Sequence, residues 1–178
     1  MVNSKPGVPQ GSLLGPLFFI IYIYDLPGVI SKESSIALYA VDSKMYRVIN
    51  TREDLSSFQS NIDKILDWCK MNKMTINTKK CKIMRITRKK SPLAGEYNIE
   101  GQPLECVNVH KDLVLFTASD LSYNQHVDRI TAKANRVLGF IKRTCRELND
   151  VDTTRTLYYS LVRPLLEYSC ETWNPQLY

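Results

Sequence analysis

A chain of 178 residues with 44% hydrophobic content can bury a real core, and its length suits one domain or a pair of small subdomains. Lysine and arginine exceed aspartate and glutamate by 24 to 18, so the chain carries +6, which is compatible with a polyanionic partner. Cys69, Cys81, Cys106, Cys145 and Cys170 are scattered and never spaced Cys-x-x-Cys; with only His110 and His126 beside them they build no zinc motif, and free thiols in a reducing compartment are the simpler reading. No secretory signal is visible, and the apolar run Leu17 to Tyr24 is far short of the roughly 20 residues that span a bilayer. The expected setting is therefore intracellular, in nucleus or cytoplasm, with no membrane partner.

In chain order, Ser12 can cap a helix with Pro16 in its first turn, running through Leu17-Phe18-Phe19-Ile20-Ile21-Tyr22-Ile23-Tyr24 to Pro27-Gly28. Apolar nearly all round, it is expected inside a core. Asp25 at its end reads as structural. Ile36, Leu38 and Ala40 then alternate with Ala37 and Tyr39, and Lys44, Tyr46 and Val48 alternate with Met45, Arg47 and Ile49. This predicts a β-hairpin over 36–48 with Asp42 at its tip, presenting a carboxylate on a rigid platform.

Thr51-Arg52-Glu53-Asp54 starts an amphipathic helix whose apolar stripe is Leu55, Phe58, Ile62, Ile65, Leu66 and Cys69. Met74 to Asn77 and Cys81 to Thr87 read as short strands around Thr78-Lys79-Lys80, followed by a basic loop from Arg88 to Gly95. Tyr97-Asn98-Ile99 and Leu104 to Val109 flank a Glu100-Gly101 turn and read as another hairpin. A strong helix is predicted from Ser122 to Arg146, with Tyr123, Val127, Ile130, Ala134, Val137, Leu138 and Ile141 on one stripe. Arg129, Lys133, Arg136 and Arg143 form a second stripe with Phe140 among them. That row suits a nucleic-acid backbone, or equally an ordinary charged solvent face. Asp152 can cap a last helical stretch that Pro164 kinks or divides.

Three blocks in order, Pro9-Gln10-Gly11, Ala40-Val41-Asp42 and Asn77-Thr78-Lys79-Lys80, together resemble the reverse transcriptase of non-LTR (LINE-type) retrotransposons. The likeness extends from Pro6 to about Pro175. It implies an α+β architecture, with a partial palm over residues 1–118 and a helical thumb-like region over 119–178. It further implies that Pro9, Gln10 and Gly11 contact the nucleotide and template, and that Lys80 assists nucleotide addition as a proton donor. A surface turn lysine is the plainer reading of Lys80, with Lys79 beside it. The row Arg129, Lys133, Arg136 and Arg143 would grip an RNA or DNA primer–template. His110-Lys111-Asp112-Leu113-Val114 resembles the family's primer-side hairpin, with Val114 where a glycine is usual. If that backbone needs positive φ, valine strains it.

The family's chemistry uses two divalent ions, Mg2+ by implication, held by carboxylates. Here Asp42 is a remnant ligand, and Val41 stands where the essential first aspartate of the Asp-Asp pair belongs. A further essential aspartate comes from a strand before the Pro-Gln-Gly loop and is expected to be missing. The resemblance thus implies an RNA-directed DNA polymerase by descent that does not catalyse alone. Two further readings stay open: a non-catalytic nucleic-acid-binding module using the basic helix, and an inert, poorly folding remnant.

Overall fold

The computed structural model describes residues 11–146 and 150–174, and within them the chain is a mixed α+β protein. Its elements fall into two compact units, residues 1–82 with 91–105 and residues 83–90 with 106–178. The hairpin that the sequence groups with the palm, residues 109–118, lies in the second unit with the long basic helix.

The first unit begins with helix α1 (Leu14–Ile23), whose first amide is met by the Ser12 hydroxyl oxygen at 3.2 Å. A 3-10 turn at Leu26–Val29 follows, with Pro27 in its first positions, and the Asp25 carbonyl accepts from the Gly28 amide at 2.9 Å. Strands β1 (Ser34–Tyr39) and β2 (Asp42–Arg47) pair antiparallel, with Ile36 opposite Met45 and Leu38 opposite Ser43. Helix α2 (Arg52–Met71) starts in a complete capping box between Thr51 and Asp54, as the sequence predicts. Ile23, Leu26, Trp68 and Cys69 form the buried centre, with Phe19, Ile36, Leu38 and Ile65 packed around it.

Two polar attachments orient the hairpin on α2. Asn61, 1% exposed, accepts from the Ser31 amide at 3.0 Å and donates to the Ser31 and Ser34 hydroxyls at 2.9 and 2.8 Å. At the far end of β2, the Arg47 guanidinium donates to the Asp54 carboxylate at 2.8 Å. Beyond α2, β4 (Asn98–Ile99) and β5 (Gln102–Pro103) form a short hairpin around Glu100 and Gly101, both at positive φ. Gln59 clamps it by bonding the Asn98 amide and carbonyl at 2.9 and 3.0 Å.

Two expectations are corrected here. The helix expected inside a core buries only Ile23, while Leu14, Leu17, Phe18, Ile20 and Ile21 are at least half exposed. Within this unit α2 and one hairpin offer it a single apolar side, which covers one stripe of a helix that is apolar all round. The strand expected over 74–77 does not form, and the next is only β3 (Lys82–Ile83). Met74 and Ile76 instead pack irregularly against the Trp68 cluster, and a 3-10 turn occupies Thr78–Lys80.

β6 (Glu105–Cys106) falls where the chain passes from the first unit to the second, and the second unit goes on with the hairpin of β7 (Val109–Asp112) and β8 (Leu115–Ala118). Helix α3 (Asn124–Thr144) follows, close to its predicted bounds. Ala134 and Ile141 bury against Val162, with Val137, Leu138, Leu157 and Leu166 around them. Helix α4 (Val151–Leu157) is capped by Asp150, whose carboxylate accepts from the Asp152 and Thr153 amides; the expected cap, Asp152, is already inside the first turn. A π-turn at Tyr158–Val162 then leads into α5 (Arg163–Glu167), and α6 (Cys170–Trp173) ends the described chain. Pro164 has no amide for an α-helical bond and its ring would crowd the carbonyl four residues back, so the helix is divided there, as expected.

The two-residue turn between β7 and β8 is strained. Leu113 and Val114 sit at φ +45° and +75°, the paired left-handed geometry of a tight hairpin. The expected cost of valine in place of glycine is therefore present. Replacing Val114 with glycine should stabilise the unit by about 1 kcal/mol, read as a raised thermal midpoint. An unchanged or lower midpoint would show that the turn is not strained. In the first unit, Asn61→Ala leaves buried Ser34, half-buried Ser31 and the Ser31 amide without their shared partner and should cost about 2–3 kcal/mol, read as a lowered thermal midpoint.

Candidate nucleic-acid interface

The hairpin of the first unit carries the Val41-Asp42 pair. The structure corrects the expectation that Asp42 sits at its tip: the turn is Ala40-Val41, and Asp42 is the first residue of β2, opposite Tyr39. Ala40 takes φ +48° while Val41 does not, the pattern of a type II′ turn. The register follows from burial. Ile36, Leu38 and Met45 share the inward side, and a slip of one residue would put Met45 on the opposite side from Ile36 and Leu38. Asp42 consequently lies on the outward side with Tyr39 and is exposed, and Val41 is 81% exposed.

Magnesium needs several oxygen ligands at one point. Asp42 supplies one carboxylate and Val41 none, and among the described residues no three aspartate, glutamate, histidine or cysteine side chains gather to hold a metal ion. The residues present do not fit a two-metal site. Pro9 and Gln10 lie outside the described residues. Gly11 adopts φ +85° in open space, a conformation that glycine takes at little cost. Lys80 closes the 3-10 turn Thr78–Lys80 and is exposed, its amide donating to the Asn77 carbonyl at 3.0 Å.

The second unit brings together more than its sequence suggests. Arg129, Lys133, Arg136 and Arg143 recur at steps of four, three and seven along α3, and all four are exposed, with Phe140 59% exposed in the same row. Asp128 is the one acidic residue of the helix. Against this row stands the β7–β8 hairpin. The Arg129 guanidinium carbon lies 4.0 Å from the centre of the Phe116 ring, and the Lys111 ammonium lies 5.8 Å from it. The Phe116 amide donates to His126 Nδ1 at 3.4 Å, and the Tyr168 hydroxyl donates to the Leu113 carbonyl at 3.0 Å.

His126, Phe116 and Tyr168 are missing from the sequence-based site. Their signal is weak, because a histidine one turn into a helix and a phenylalanine in a short strand are ordinary core residues. His126 is 1% exposed and packs 5.6 Å from the Trp173 ring. Since Nδ1 accepts, Nε2 carries the proton of the neutral ring, and it is buried without a hydrogen-bond partner. Burial holds this imidazole below the usual histidine range.

The family model for reverse transcriptase (RNA-dependent DNA polymerase) matches residues 2–142. The chain belongs to that family. It is 26% identical over 178 residues to a probable RNA-directed DNA polymerase from transposon X-element of Drosophila melanogaster, covering 97% of this chain and 20% of that protein. It is 27% identical over 185 residues to the RNA-directed DNA polymerase from mobile element jockey of Drosophila funebris, covering 96% and 19%. It thus spans about a fifth of the length of the curated relatives it matches. No solved structure gives a significant match. The resemblance to LINE-type retrotransposon reverse transcriptases and the α+β class are both upheld, and no described helix of this reverse-transcriptase segment is long and apolar enough to cross a membrane.

The buried histidine gives the segment a pH signature. The unfolded chain takes up a proton near the ordinary value of 6.5 while folded His126 stays neutral to lower pH. Its contribution is therefore complete above about pH 6.5 and is lost as pH falls below that value toward the folded one. Asp54 behaves differently, because its hydrogen bonds from Arg47 and the Asn50 and Thr51 amides hold it well below the usual carboxylate range. Its contribution persists down to the ordinary value of 3.8 and is lost below it. Thermal midpoints followed against pH should fall in two separate steps; a flat midpoint between about pH 7 and pH 5 would contradict the neutral, buried His126.

Proposed function

We propose that this chain is the later-palm and thumb portion of a retrotransposon reverse transcriptase, and that its own contribution is to grip nucleic acid rather than to polymerise. One observation carries the reading. The row Arg129, Lys133, Arg136 and Arg143 is wholly exposed on a helix with a single acidic residue, while the metal hairpin offers Asp42 beside an exposed Val41. Phosphate contacts give affinity independent of sequence and strongly dependent on salt. The partner is an RNA or DNA primer–template. Asp42 and Lys80 then act as ordinary surface residues in this chain, and Pro9, Gln10 and Gly11 keep a nucleotide-side role only when a complete polymerase centre is present.

An aliphatic side chain in place of a metal-ligating carboxylate removes transition-state charge stabilisation worth several kcal/mol, a loss of about thousands-fold in rate. Extension of a primed template by the chain with magnesium should accordingly be undetectable, and any extension would overturn this part of the reading. Binding of a labelled primer–template should weaken steeply between low and moderate salt. Neutralising Arg129, Lys133 or Arg136 singly should each reduce the salt slope by about one. A slope unchanged in all three variants would mean that the row is only a solvated face.

The inert-remnant reading has one specific observation in its favour, the five large apolar residues that α1 leaves at least half exposed. A cooperative thermal transition from a soluble monomer would exclude it.

A further inference from the structure

We propose that Arg129, laid on the ring of Phe116, is a stacking platform for an unpaired nucleobase, with Lys111 beside it for the adjoining phosphate. The inference rests on the nucleic-acid reading above and assigns within it a contact that a row of charges does not specify. A guanidinium is a plane with two faces and a rim of five donors. Here the guanidinium carbon lies 4.0 Å over the centre of the Phe116 ring and Arg129 is an exposed residue, which leaves the side away from the ring accessible to a base. No carboxylate pairs with Arg129 or Lys111 among the described residues. Asp112 alternates to the other side of its strand from Lys111, and Asp128 projects about 100° around α3 from Arg129.

The platform is also held in place. Phe116 is half-buried, its amide is bonded to buried His126, and the turn of its hairpin is pinned by Tyr168. An arginine that had to be ordered by the ligand would lose side-chain entropy on binding; this one is already stacked. A base laid on the open face would complete a sandwich of ring, guanidinium and base, which tolerates any base because each has a π face. Duplex ends without unpaired bases gain only the charge. The plainer role for the pair is a surface cation–π contact between hairpin and helix, which predicts no preference for unpaired bases.

The test compares Arg129→Lys with the unmodified chain, since lysine keeps the charge and a contact to Phe116 but has no plane. Two probes are used at one salt concentration: a short single strand carrying a fluorescent adenine analogue, and a blunt duplex of the same length. Arg129→Lys should bind the single strand about tenfold more weakly and lose most quenching of the analogue. It should bind the duplex within about twofold of the unmodified chain, whereas Lys133→Gln should weaken both probes alike. Phe116→Leu should reproduce the single-strand defect with the arginine intact, and the thermal midpoint of each variant confirms that it is folded. Equal single-strand affinity and quenching for folded Arg129→Lys would overturn the platform while leaving the grip. No binding of either probe by the unmodified chain would overturn both.

Discussion

Helix α2 carries two kinds of attachment, and the first unit depends on their being different. Trp68 and Cys69 bury against Ile23 and Leu26, an apolar contact that draws helix and hairpin together without fixing their angle. Asn61 fixes it. Its amide is 1% exposed, and burial of so polar a group is tolerable because its oxygen and nitrogen are both bonded, to Ser31 and Ser34 at the entry of β1. Arg47 and Asp54 repeat the arrangement at the exit of β2. A two-stranded hairpin is marginal on its own; tied to a capped 20-residue helix at both ends, it keeps one register.

The second unit is organised differently, around strain that its surroundings hold. Leu113 and Val114 both occupy left-handed backbone, where β-branched and bulky side chains are costly. Tyr168 supports this turn from α5's end and His126 supports β8 from the first turn of α3. His126 can do so only as a neutral acceptor, so its burial and its hydrogen bond act in the same direction. The same support that keeps the hairpin strained also keeps Phe116 beneath Arg129.

These two units bear on function in opposite ways. Catalysis of the family's type asks for several carboxylates at one point, and an aliphatic side chain in place of one supplies no ligand to a metal ion. Electrostatic grip asks only for positive charges spaced along an exposed surface, and each charge contributes separately. On the function proposed above, a segment that has Val41-Asp42 on one hairpin and an acid-poor basic row on α3 serves the second task and not the first.

How much was legible in the sequence depended on whether the signal was local. The capping box at Thr51, the amphipathic periods of α2 and α3, the Glu100-Gly101 turn and the break at Pro164 are consequences of neighbours a few residues apart, and they stood in the sequence alone. So did the family, carried by three short blocks in order. The packing decided what local patterns cannot. It set the hairpin turn one residue earlier by burying Ile36, Leu38 and Met45 on one side, which moved Asp42 from tip to strand. It left α1 half exposed, because apolar composition shows what a helix would bury and not whether neighbours exist to bury it. It alone joined Phe116 to Arg129 and to His126, since contacts between a strand and a helix ten or more residues apart have no period to read.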